Sequence, residues 1–148
     1  MSVESEAKNV NEKFAFIKEI YSDSWALIIG INEYKYVKSL NYAVDDAVDV
    51  KKILIEKYGF KESNIKLLLN LDATKDNILK GFNDILTQAN SKDRVLVFYA
   101  GHGNTYDLPS GGEMGFLIPT DGDPDNVYLS CIKMDEIYSL ADMSYAKH

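Results

Sequence analysis

The sequence predicts a three-layer α/β/α domain built on a mostly parallel sheet, and three observations carry that expectation. Short apolar runs at Trp25–Ile31, Asn64–Leu69 and Val95–Tyr99 have strand character, and the stretches between them, Ala43–Tyr58 and from Thr74 to Leu86, place apolar residues at helical spacing. The two kinds of segment alternate, and strand–helix–strand order gives a parallel sheet with right-handed crossovers. A long stretch rich in Gly, Asp, Asn, Pro and Ser, Gly101 to Gly115, is expected to be irregular and begins at the end of the third run, the edge at which open α/β sheets bind ligands.

Each element has its own local reason. From Ser5 to Tyr21 the apolar positions Phe14, Ile17, Ile20 and Tyr21 follow a helical period, so residues 1–22 are expected to form an amphipathic N-terminal helix set before a main domain of residues 23–148. Trp25–Ile31 is continuously apolar, as a strand covered on both faces must be. In Ala43–Tyr58 the set Ala43, Ala47, Val50, Ile53, Leu54 and Tyr58 faces one way, and Gly59 supplies the stop. Thr74 is placed to cap the next helix, whose buried side is Ile78, Phe82, Ile85 and Leu86. Val95–Tyr99 is β-branched and aromatic, Gly115–Ile118 is a shorter extended piece, and Met134–Leu140 reads as a short helix.

Composition narrows the function. The chain of 148 residues is one domain's worth of core. Its net charge of -7 argues against a nucleic-acid partner, since phosphate binding requires a basic surface. No apolar run approaches the roughly 20 residues that cross a bilayer, so no membrane partner is expected. The start, Met1 to Val10, lacks the apolar centre of a signal peptide. A single cysteine, Cys131, excludes an intramolecular disulfide, and with these features points to a reducing, cytoplasmic setting.

His102 is the main candidate for chemistry. In Gly101-His102-Gly103 a glycine-flanked turn holds it out of the end of the third strand, where a general base must stand to reach a substrate. Gly103 leaves room for a backbone N–H to approach a substrate carbonyl and stabilise an oxyanion. Cys131 is read as a buried structural thiol rather than a nucleophile, because no small-residue turn exposes it. Asp45 and Asp46 open the first long helix, where acids also suit the helix dipole. Asp121-Gly-Asp-Pro-Asp125 has the composition of a calcium loop but lacks its glycine and its terminal glutamate, and His102 with Cys131 cannot complete a zinc site. No metal and no cofactor is expected.

The strand ending in Gly101-His102-Gly103 resembles the histidine motif of caspase-like cysteine peptidases of the metacaspase type. Further blocks resemble that family in its own order: Trp25–Tyr34 as first strand and turn, Leu40–Ala47 as the opening of the first helix, Ala73-Thr74 as the start of the second, Asp93–Gly103 as the histidine strand and Gly115–Asp121 after it. The resemblance implies a caspase–haemoglobinase fold and a cysteine–histidine dyad that hydrolyses peptide bonds. It places His102 as the dyad histidine, Gly103 at the oxyanion hole, and Asp46 in the pocket for a basic residue, so that cleavage is expected after Arg or Lys. Ala100 departs from the serine that metacaspases often carry there. Caspases that select aspartate use arginines, and the one arginine, Arg94, lies at the start of a strand.

In caspases the cysteine follows the histidine by about 50 residues, whereas 46 follow His102 here. The chain is therefore expected to be the large-subunit portion, truncated before the cysteine-bearing strand and inactive alone. The expected partners are a peptide or protein substrate and a C-terminal small-subunit portion carrying the nucleophile. Two other readings stay open. One is a non-catalytic caspase-like binding or regulatory module. The other is a flavodoxin-like ligand-binding domain, which would need phosphate-cradling glycines where Ile31–Tyr34 has none.

Overall fold

The computed structural model describes residues 14–148. A parallel sheet of three strands, in the order β2-β1-β3, is formed by β1 (Ser24–Gly30), β2 (Ile65–Leu69) and β3 (Arg94–Ala100). Helices α2 (Ala43–Tyr58) and α3 (Lys75–Gln88) make the crossovers. Of the helix expected over Ser5–Tyr21, Ala15–Ile20 is helical (α1), and the part before residue 14 lies outside the described residues.

Central placement makes β1 apolar from Trp25 onward. Even-numbered Ala26 and Ile28 pack with Ala47, Leu54 and Phe60 beneath α2, while Leu27, Ile29 and Ile31 pack with Ile78, Phe82 and Ile85 of α3 on the opposite face. Helices therefore cover both faces, which is the three-layer arrangement. Leu27, Ile28 and Ile31 are fully buried, and each such side chain contributes on the order of 2 kcal/mol of transfer free energy. The ends of both long helices follow local chemistry. Gly59 adopts φ 73° at the end of α2, and the Thr74 side chain accepts the Asn77 N–H at the start of α3.

The stretch from Gly101 to Gly115, expected to be irregular, is instead largely a hairpin. Strands β4 (Gly103–Asp107) and β5 (Glu113–Leu117) pair antiparallel, and β5 also pairs with the short β6 (Ile132–Lys133). Gly111 and Gly112, both at φ 89°, reverse the chain, and Leu108 N–H donates to the Gly112 carbonyl at 2.8 Å. Tyr106 then meets Phe116 edge-on, their ring centres 5.6 Å apart. The one-turn helix α4 (Val127–Ser130) leads through Cys131 and β6 into α5 (Met134–Asp142), from which Ile137 and Leu140 return to the core under β1.

β3 is one of the two edge strands of the parallel sheet, and an apolar groove of about 310 Å³ lies along it, lined by Leu27, Phe82, Ile85, Val95 and Val97 among others. The last residues run along this edge: Lys147 N–H donates to the Asp93 carbonyl, and Val95 N–H donates to the His148 carbonyl.

Gly30 sets how closely α2 approaches the sheet. A Cβ there would stand 2.6 Å from both the Ala43 carbonyl oxygen and the Ala47 Cβ. Gly30→Ala is expected to lower unfolding stability by about 1–3 kcal/mol through overpacking. Urea titration measures this, and a change within about 0.5 kcal/mol would show that α2 can retreat at little cost.

Candidate active site

The ends of β1 and β3 lie level in the sheet, with Gly30 opposite Ala100 and Ile31 N–H donating to the Ala100 carbonyl at 3.0 Å. The segment leaving β1 and the Gly-His-Gly turn leaving β3 must therefore meet. Asn32 shapes the first of these. Its N–H donates to the Asn70 side chain, its own side-chain oxygen accepts the Val44 N–H, and its carbonyl accepts the Leu40 N–H. Asn70, at φ 44°, also takes the Glu33 N–H, and asparagine tolerates that left-handed backbone better than most residues. Thr120 closes the loop from beneath, its hydroxyl donating to the Glu33 carbonyl and its carbonyl accepting the Lys35 N–H. So held, the loop presents Tyr34 and the Lys38 carbonyl to His102.

The His102 ring is partly exposed, and its Nε2 lies 2.7 Å from the Lys38 carbonyl oxygen. A carbonyl can only accept, so Nε2 carries the proton of this bond and Nδ1 is the lone-pair nitrogen of the neutral ring. The Tyr34 ring stands beside the imidazole, centres 4.9 Å apart at 60°. A histidine so arranged can take a proton at Nδ1 while Nε2–H remains anchored, and the anchoring bond strengthens as the ring becomes cationic.

Gly103 opens β4. Ile118 N–H donates to the His102 carbonyl, so Gly103 and Leu117 form the non-hydrogen-bonded kind of antiparallel pair. The Gly103 N–H is thereby directed away from β5, toward the free edge of the small sheet. A cavity of about 420 Å³ lies beside it, lined by Asn104, Thr105, Phe116 and Met134 among others. The apolar groove on β3 is a separate feature that His102 does not line.

Asp46 is exposed in the first turn of α2. That turn is the part of the helix resting on Gly30, so Asp46 stands at the same edge of the sheet as His102. Arg94, by contrast, lies at the far end of β3. Its guanidinium donates to the Ser24 hydroxyl and the Tyr58 carbonyl and stacks on Phe60, 4.5 Å from the ring centre. Asp121 and Asp123 accept backbone N–H groups of Lys75 and Asp125. Among the described residues no group of three or more His, Cys, Asp or Glu side chains could hold a metal ion, and no helix is long and apolar enough to cross a membrane.

Cys131 is 1% exposed in a separate cluster with Phe116, Ile118 and Val127, and burial pushes its thiol above the usual range. Sequence reasoning did not single out Lys38, Tyr99, Asn32 or Asn70. The Lys38 contribution is a backbone carbonyl, which leaves no trace in residue type. Tyr99, in contrast, puts a phenol at the end of the apolar run Val95–Phe98, and a buried phenol must find a partner.

A caspase-domain family profile matches residues 23–144. Metacaspase-6 of Arabidopsis thaliana is 32% identical over 128 residues, covering 80% of this chain and 33% of the relative. Metacaspase-1A of Neurospora crassa is 30% identical over 129 residues, covering 83% and 25%. The chain thus spans a third or less of the length of these relatives. A solved structure of a Geobacter sulfurreducens protein superposes with a TM-score of 0.69 at 21% identity, covering 84% of this chain and 47% of the other, a likeness of fold.

Two measurements test the site as described. Native Cys131 is expected to react with a disulfide reagent at least about a hundredfold more slowly than in denaturant, because attack requires exposure of the thiolate; equal rates would refute its burial. Burial also raises the phenols of Tyr34 and Tyr99 above the ordinary tyrosine range. Above about pH 10 the unfolded chain releases phenolic protons that the native state retains, so stability is expected to hold below that pH and to fall above it. Denaturant midpoints at about pH 8 and 11 check the sign, and equal midpoints would contradict it.

Proposed function

We propose, from the premise that this chain belongs to the caspase-domain family of the metacaspase type, that it is the histidine-bearing portion of a cysteine endopeptidase. The observation that carries this reading is the imidazole itself, anchored through Nε2 on the Lys38 carbonyl with Nδ1 left as the acceptor, beside an outward-directed Gly103 N–H. In the proposed reaction a thiol supplied by the rest of the protein gives its proton to His102 Nδ1. The thiolate adds to the peptide carbonyl, whose oxygen takes the negative charge near the Gly103 N–H. The imidazolium then returns the proton to the departing amine as the carbon–nitrogen bond breaks, leaving a thioester that water hydrolyses.

The thiol is proposed to come from the C-terminal small-subunit portion. Asp93–Val95 and Lys147–His148 run in the same direction, which suits a further parallel strand on the β3 edge ending level with His102. Cys131 is unsuited to the role by its burial, so these residues alone should be inactive. Asp46, exposed at the same edge, is the proposed selector of Arg or Lys before the cleaved bond.

His102→Ala in the full-length protein is expected to reduce kcat/KM on Arg- or Lys-containing peptides by at least about a thousandfold. Asp46→Asn should raise KM for such peptides about tenfold or more, one charge pair being removed. Activity unchanged in His102→Ala would overturn the assignment of His102 as the base, and binding of such peptides without hydrolysis by the unaltered full-length protein would favour a caspase-like binding module.

A further inference from the structure

The Gly101-His102-Gly103 turn stands at the surface, yet the backbone of its central residue is bound from below by two tyrosines. His102 N–H donates to the Tyr34 hydroxyl oxygen at 2.8 Å. The Tyr99 hydroxyl lies 2.8 Å from the His102 carbonyl oxygen and 2.7 Å from that of Ile118, and donates its proton between them. The two hydroxyls thus hold His102 at both ends of its backbone, Tyr34 at the amide and Tyr99 at the carbonyl. A phenol oxygen can accept and its O–H can donate, so each tyrosine suits the backbone group it meets.

Steric fit adds a second restraint. A Cβ on Gly101 would stand 2.6 Å from the Tyr34 hydroxyl oxygen and 2.8 Å from that of Tyr99, so the turn rests directly on the two phenols. The Tyr34 ring also walls the imidazole that its hydroxyl helps to hold. Phenylalanine at either position would fill the same core volume, and Tyr34 and Tyr99 do pack against the α3 side of the core. What the hydroxyls add is directed at the turn and at Ile118, which itself donates to the His102 carbonyl. A histidine between two glycines has no bulky neighbour to limit its backbone, so its orientation must be imposed through its own N–H and C=O.

We propose that Tyr34 and Tyr99 are positioning residues for His102, their hydroxyls fixing the turn so that Nε2–H meets the Lys38 carbonyl and Nδ1 faces outward. The proposal builds on the reading of His102 as the base of a peptidase, and it can be tested apart from that reading.

The chain has two histidines, His102 and His148, so nitrogen-detected NMR of the imidazoles in a His148→Gln background reports His102 alone. The wild-type turn should show one tautomer, with the proton on Nε2. Tyr34→Phe and Tyr99→Phe, which keep both rings, should each give mixed tautomers or an exchange-broadened ring. Unchanged His102 signals in both folded variants, whatever their melting temperatures, would overturn the proposal. Should a variant fail to fold, the wild-type protein still decides: its His102 amide is expected to exchange with solvent at least about a hundredfold more slowly than an unprotected amide, and unprotected exchange would refute the bond to Tyr34. In the full-length protein Tyr34→Phe should lower kcat about tenfold, as loss of one hydrogen bond allows, with KM unchanged. If the tautomer responds to both tyrosines while hydrolysis does not depend on His102, the positioning pair stands and the assignment of His102 as the base falls.

Discussion

The site depends on one constraint of register, the pairing of Gly30 at the end of β1 with Ala100 at the end of β3. Parallel strands that finish level must release their chains at the same edge, and the chemistry of an open α/β sheet collects there. The loop after β1 brings Tyr34 and the Lys38 carbonyl, and the turn after β3 brings His102. A slip of one residue would reverse the faces of β3. Val95 and Tyr99 would then exchange sides with Leu96 and Phe98, and Tyr99 would lie beneath α2 instead of under the turn it supports.

The sheet and the loops divide the work. Apolar burial on both faces of β1 holds the strands, and it is insensitive to the direction of individual side chains. Direction is supplied by a small polar set at the sheet edge, Asn32, Asn70, Thr120, Tyr34 and Tyr99, each bonded to backbone groups of a neighbouring segment. Buried polar groups are costly unless satisfied, so such a set tolerates few alternative arrangements. That selectivity suits a histidine whose two ring nitrogens must have different partners.

Much of the sheet was legible in the sequence because periodicity and end signals agreed. Ala43–Tyr58 stops at Gly59, and Thr74 caps the helix that follows, as their residue types imply. The Gly101–Gly115 stretch misled for a physical reason. Its glycines mark the turn of a hairpin, while β4 is too polar and too exposed to show an apolar alternation. At the site, His102 and Gly103 were visible as residue types on a strand-end turn. The Lys38 carbonyl was not, since every residue has one, and only the fold of the loop places it. Asp46 could be seen as an acid at a helix start, but its closeness to the histidine edge required knowing that Gly30 lets α2 settle onto the end of β1.

A crystal structure of the full-length protein carrying a covalent peptide inhibitor on the proposed nucleophilic cysteine would test the assignment of His102 most directly. His102 Nε2 should remain on the Lys38 carbonyl at hydrogen-bond distance, Nδ1 should face the modified sulfur, and the inhibitor's oxyanion-mimicking oxygen should accept from the Gly103 N–H. A sulfur lying against Nε2, or an inhibitor bound away from the edge where β1 and β3 end, would contradict it.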